Sequence, residues 1–192
     1  MRRTLIFGLF LGILSVHPLR ATNPDDIDFR LGPVKDSYSY QIGEPIEFEL
    51  LYSSESQKKY QGSWTTPRPE LQAVTLQISP TEGVVDLRVL RQSLAFAGSI
   101  LSSIGYLSSE PYKQKLEITD WYRFQKPGRY SLTVTSNAVW RVKSANEGGG
   151  KEPVTLSSNV AEFEILPADP SWESQEISDA SHGSGSPVTR LL

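Results

Sequence analysis

The 192-residue sequence has no cysteine, one methionine and only two histidines. Without a thiol there is no disulfide framework, no thiolate nucleophile, no cysteine-ligated zinc or iron–sulfur centre and no N-terminal cysteine to carry lipid. His17 stands in an apolar leader and His182 in a polar, low-complexity tail. The segment between them has no imidazole, so neither a Ser-His-Asp triad nor a histidine-ligated metal site can be built there. Long apolar runs are also scarce. The one clear run, Leu5 to Val16, falls short of the ~20 residues that span a bilayer. Basic residues are scattered without a Lys/Arg run, which argues against a nucleic-acid partner.

What is present suits a folded chain. Hydrophobic residues make up 38 %, aromatic 10 % and charged 21 %, enough apolar surface for a core. Residues 1–21 read as a secretory signal peptide. Arg2 and Arg3 precede the apolar run and Ala21 is the residue before the cleavage point, although Leu19 is larger than the usual residue two places earlier. Cleavage removes three of the 19 basic residues and none of the 22 acidic ones, which moves the net charge from −3 to −6. A secreted chain without cysteine suits a bacterial envelope, periplasmic or extracellular, with no membrane span after cleavage. The expected division is a signal peptide at 1–21, a β-domain at 22–167 and a tail at 168–192.

From Asp28 to Leu166 the apolar residues recur every second position. Ile46, Phe48, Leu50 and Tyr52 alternate with Glu47, Glu49, Leu51 and Ser53 after a Gly43-Glu44-Pro45 turn. Val74, Leu76 and Ile78 share a face, as do Val85, Leu87 and Val89, and then Leu116 and Ile118. Tyr130, Leu132 and Val134 alternate with Ser131, Thr133 and Thr135, and Val160, Ala161, Phe163 and Ile165 stand against Glu162 and Glu164. Shorter candidates lie at 29–31, 38–41 and 139–142. Residues 93–107 carry a diluted helical pattern, interrupted by Gly98 and Gly105, and read as a long inter-strand loop with one helical turn. The expectation is an all-β, antiparallel sandwich of seven to nine strands.

One motif narrows the fold. Pro127-Gly128-Arg129-Tyr130, entered from Trp121-Tyr122-Arg123-Phe124, resembles the tyrosine corner of immunoglobulin-like sandwiches, where the tyrosine hydroxyl bonds back to the main chain. The structural corner therefore comprises Tyr130, Gly128, Pro127 and Trp121. The segments YQIGEPIEFEL and FQKPGRYSLTV together resemble bacterial secreted immunoglobulin-like or fibronectin-III-like domains. The stretch ITDWYRFQKPGRYSLTVTSNAVW followed by LSSNVAEFEILPADPSW is similar to the N-terminal domain of large uncharacterised secreted bacterial proteins. The resemblance covers roughly residues 25–175 and implies a fold without an activity. In those proteins a helical region follows the sandwich. Here Asp169-Pro170 starts a helix that runs to about Ala180, and Ser181 to Pro187 is a flexible polar stretch, as in a truncated or short version.

The candidate sites are modest. Asp25, Asp26 and Asp28 could ligate calcium, but they lack EF-hand spacing and read as solvated acids near a new N-terminus. The pairs Glu47/Glu49 and Glu162/Glu164 have the residue type for glycoside hydrolysis but the spacing of a solvated strand face. Gly148-Gly149-Gly150-Lys151 lacks phosphate-loop spacing and reads as a hairpin turn. Tyr60, Trp64, Tyr106, Tyr112, Trp121, Tyr122 and Trp140 fall in or beside predicted loops, where aromatic rings stack on sugars or anchor a protein. Trp121 and Trp140 read as plugs at the ends of the core. Trp64, in a turn-rich segment, reads as a surface residue, so Trp64, Tyr60 and Tyr106 form the candidate ligand-binding set. No catalytic residue, metal site or cofactor is expected. The function read from the residues is a non-catalytic binding or assembly module with a protein or glycan partner. The alternatives are a carbohydrate-binding module, or an inhibitor or chaperone-like domain that offers a sheet edge.

Overall fold

The computed structural model describes residues 23–35, 37–64, 73–89, 103–172, 174 and 178. The expected leader, residues 93–102 and the polar stretch after Ser181 lie outside the described residues. The strands are β1 (Ile27–Pro33), β2 (Ser39–Gln41), β3 (Glu47–Ser54), β4 (Tyr60–Trp64), β5 (Val74–Ser79), β6 (Val84–Asp86), β7 (Ser103–Tyr106), β8 (Tyr112–Glu117), β9 (Tyr122–Phe124), β10 (Gly128–Val142), β11 (Lys151–Ser157) and β12 (Ala161–Leu166). The described chain thus holds twelve strands where seven to nine were expected, because β4, β7, β9 and β11 are short or polar and carry no strong apolar alternation. Part of the expected loop at 93–107 is strand β7. The described residues are mostly β-sheet. All pairings are antiparallel except β2 with β12.

Three sheets result. One has the order β1-β3-β8, and β6 pairs with β9 in a small second one. The third is organised by the fifteen-residue β10, with the order β2-β12-β10-β4-β7, while β5 and β11 also pair with β10. The first half of β10 runs between β12 and β5, and the second half between β11 and β4. The halves are divided by a bulge between Ser136 and Val139, where Asn137 and Ala138 oppose a single residue of β11. The buried Ser136 Oγ holds that bulge by accepting the Ala138 N–H at 3.3 Å, and it also accepts the Tyr52 hydroxyl at 3.0 Å.

The inward faces of the two larger sheets meet. From β3 come Phe48, Leu50 and Tyr52, and from β10 Tyr130, Leu132 and Val134, all buried as their alternation predicts. Phe48 meets Phe163 edge-on at 5.8 Å, and Phe163 also packs on Phe124, Tyr130 and Tyr40. A second ring group forms where Tyr52 stacks on Phe29 at 4.6 Å. Each fully buried apolar side chain of this kind stabilises the fold by roughly 1.5–3 kcal/mol. The Tyr130 hydroxyl donates to the Lys126 carbonyl at 2.9 Å, and the Tyr122 hydroxyl to the Leu76 carbonyl at 2.9 Å. Two expectations of facing are off by one residue: Val84, not Val85, packs on the core, and Val160 is exposed before β12 begins.

Two asparagines close the gap between the sheets. Asn159 Oδ1 accepts the Leu31 N–H at 2.8 Å while its Nδ2 donates to the Leu31 carbonyl at 3.0 Å. Asn23 does the same for Ser157, at 2.7 and 2.9 Å. At the other end of the chain, Asp169 caps the helical residues 170–172 by accepting the Ser171 N–H at 2.9 Å.

Tyr130→Phe removes one hydrogen bond and is expected to lower unfolding stability by about 0.5–1.5 kcal/mol in urea titration. Leu132→Ala leaves a cavity under the centre of β10 and is expected to cost about 2–5 kcal/mol in the same measurement.

Candidate functional site

In β4 the residues alternate, with Tyr60, Gly62 and Trp64 facing the core and Gln61 and Ser63 facing out. Trp64 is therefore not the surface residue its turn-rich flanks suggested. It is only 6 % exposed, stacks on Tyr112 at 4.2 Å and leans on Tyr52 at 5.1 Å. Its indole lies over a cross-strand pair of glycines, Gly62 of β4 and Gly105 of β7. A Cβ at Gly62 would fall 2.0 Å from the ring, and one at Gly105 would sit 3.4 Å from Nε1. Tyr60 is also buried, with its hydroxyl donating to Asp26 Oδ1 at 2.8 Å. Of the candidate trio only Tyr106 reaches solvent, at 52 % exposure. The three share one strand pair but divide between its two faces.

The outer face carries a different set. The register places Pro153, Trp140, Gln61 and Tyr106 side by side across β11, β10, β4 and β7. The next positions hold Ile104, 62 % exposed, opposite Ser63, together with Thr155 and Asn137, whose side chains are bonded at 2.9 Å. With strands ~4.8 Å apart, Trp140 and Tyr106 stand about 10 Å from each other with Gln61 between them.

Trp140 is half-buried on this face and does not plug the core. Counting by twos from Tyr130 would turn it inward, but the bulge after Ser136 reverses the phase. Val139 then enters the core and Trp140 turns out. Asn137, a polar residue with poor strand propensity in the middle of an apolar alternation, is the sequence signal for that reversal. Trp121, by contrast, is 1 % exposed, and its Nε1 has no acceptor among the described residues.

The acidic residues do not converge. Asp26 is no solvated terminal acid, because it accepts from Ser56 at 2.6 Å, Lys59 at 2.6 Å and Tyr60. Burial pushes its carboxyl up, but the hydrogen bonds from Lys59, Ser56 and Tyr60 outweigh that and hold it well below the usual carboxylate range. Asp28 pairs with Arg30 at 2.7 Å. Glu47 and Glu49 pair diagonally with Lys115 and Lys113 across β3 and β8. Glu162 and Glu164 lie opposite Ser131 and Arg129 of β10. Among the described residues no three His, Cys, Asp or Glu side chains are grouped to hold a metal ion, and no helix is long and apolar enough to cross a membrane. Gly148, Gly149 and Gly150 all have positive φ in the connection from β10 to β11, a conformation that favours glycine. No family model, curated protein or solved structure matches the chain.

Gly62→Ala forces Trp64 out of its slot and is expected to cost at least about 1–3 kcal/mol in urea unfolding. Gly32→Ala, whose added Cβ meets nothing within 4 Å, should stay within about 0.5 kcal/mol of wild type. The depressed carboxyl of Asp26 stabilises the fold fully above the ordinary aspartate range, near pH 3.9, and that contribution is lost as pH falls below it. Asp26→Asn is therefore expected to be less stable than wild type at pH 7, with the difference shrinking in melts taken toward pH 2.

Proposed function

We propose that the chain is a secreted immunoglobulin-like β-sandwich that acts as a non-catalytic binding module of the bacterial envelope, with the outer face around Trp140, Gln61 and Tyr106 as its recognition surface. The observation that carries this reading is the row Pro153–Trp140–Gln61–Tyr106, which lines up two aromatic rings on one sheet. Large rings on a preordered surface supply contact area at low entropic cost. The sandwich is supported by the meeting of the two inner faces, and the immunoglobulin-like corner by the bond from Tyr130 to Lys126.

A glycan is the ligand class that the face favours over a protein. Gln61, Ser63, Asn137 and Thr155 interleave hydroxyl and amide groups with the rings, and the ~10 Å between Trp140 and Tyr106 suits two linked sugars. The reading in which an extended partner adds to a sheet edge has less behind it. Asn159 occupies main-chain groups at the edge of β1, Asn23 and Pro153 blunt β11, and β7 has only four residues.

A glycan array with the protein freed of residues 1–21, followed by calorimetric titration of any ligand found, tests this. Trp140→Ala and Tyr106→Ala are each expected to weaken binding roughly tenfold or more. Unaltered affinity in both variants would remove this face as the site. A hydrolase activity abolished by one Asp or Glu substitution would remove the non-catalytic reading altogether.

A further inference from the structure

The turn between β3 and β4 and the connection between β10 and β11 enclose an open cleft of about 350 Å³, lined by Lys58, Lys59, Arg141, Lys143, Ser144 and Glu147 among others. In a chain of net charge −3, four cationic side chains line one recess. We propose that this cleft binds a phosphate-type anion, a phosphorylated or diphosphate group on a small ligand or polymer.

The first observation is the balance of donors. Lys59 is tied to Asp26, and Arg141 to Glu147 at 2.5 Å. Glu147 is itself fixed by the N–H and hydroxyl of Ser144, at 3.0 and 3.1 Å, so it stays at the rim as an ordered partner of Arg141. A guanidinium has five N–H donors, and this pair leaves others open. Lys143 reaches Glu152 only at 3.5 Å, and Lys58 has no ion-pair partner among the described residues. The Arg141–Glu147 and Lys143–Glu152 pairs are exposed and weak, so a ligand with two or more negative charges competes effectively for those two cations.

The second observation is independent of charge. Lys58 is the only non-glycine residue with positive φ among the described residues, at 57°. That left-handed conformation favours glycine and is costly for a side chain with a Cβ. A lysine there is disfavoured by the backbone, yet it sets an exposed ammonium, without an ion-pair partner among the described residues, on the lining of the cleft. Strain held at a single position, beside a recess lined by like charges, is the pattern of a binding residue.

The test is an NMR titration of the full chain with inorganic pyrophosphate at fixed ionic strength. Saturable shifts are expected at the amides of Lys58, Lys59, Lys143 and Ser144. Lys58→Gly, which suits the left-handed backbone, should melt no lower than wild type yet bind roughly tenfold more weakly, and Arg141→Gln should weaken binding by a similar factor. Lys113→Gln, on β8 outside this cleft, should change nothing. Malonate and sulfate are the comparison arms. Malonate binding as tightly as pyrophosphate would overturn the phosphate class, and so would sulfate doing the same. Shifts that never saturate, or that persist unchanged in Lys58→Gly and Arg141→Gln, would overturn the site. Trp140→Ala should leave pyrophosphate binding intact, so failure of the outer-face reading and failure of this one are told apart.

Discussion

The bulge in β10 is the constraint on which the rest of the structure depends. A single strand pairs with four others, and only a change of direction lets its two halves serve different neighbours. Ser136 provides that change with one oxygen, which takes the Ala138 amide and the Tyr52 hydroxyl together. The same atom thus kinks one sheet and ties it to the other. Burial pushes the Tyr52 hydroxyl far above its ordinary pKa, so it remains a neutral donor to this oxygen across the physiological range.

The bulge also decides what the protein shows to solvent. Upstream of it, even-numbered residues fill the core; just past it, Val139 does and Trp140 does not. The large ring at position 140 is turned out for that reason alone, and it lines up with Gln61 and Tyr106 because β4 and β7 continue the same register. Inside, the matching face is closed by Trp64, whose fit requires the absence of a side chain at Gly62. One strand pair therefore works in two directions, sealing the core with one ring and presenting another.

The regular strands could be read from the residues, and the irregular ones could not. Alternation in β3, β5, β12 and the first half of β10 was plain because each has three or more apolar residues on one face. Strands β4 and β7 hide glycines at core-facing positions, so their alternation looks like turn sequence. The surface role expected of Trp64 failed because flanking turn residues say nothing about which face a short strand buries. The core role expected of Trp140 failed because period-two counting cannot see a bulge. Asp26 was unreadable for another reason: its partners Ser56, Lys59 and Tyr60 lie thirty or more residues away and come together only through the pairing of β1 with β3.

The two asparagines between the sheets have a chemical consequence. In a chain without thiols, Asn23 and Asn159 serve as latches, each using its side-chain amide as a complete peptide surrogate with one donor and one acceptor. Hydrolysis of either amide to a carboxylate would set an oxygen against the carbonyl of Ser157 or Leu31 and turn attraction into repulsion. A latch of this kind has no covalent bond to reduce, but it holds only while its side chain stays an amide.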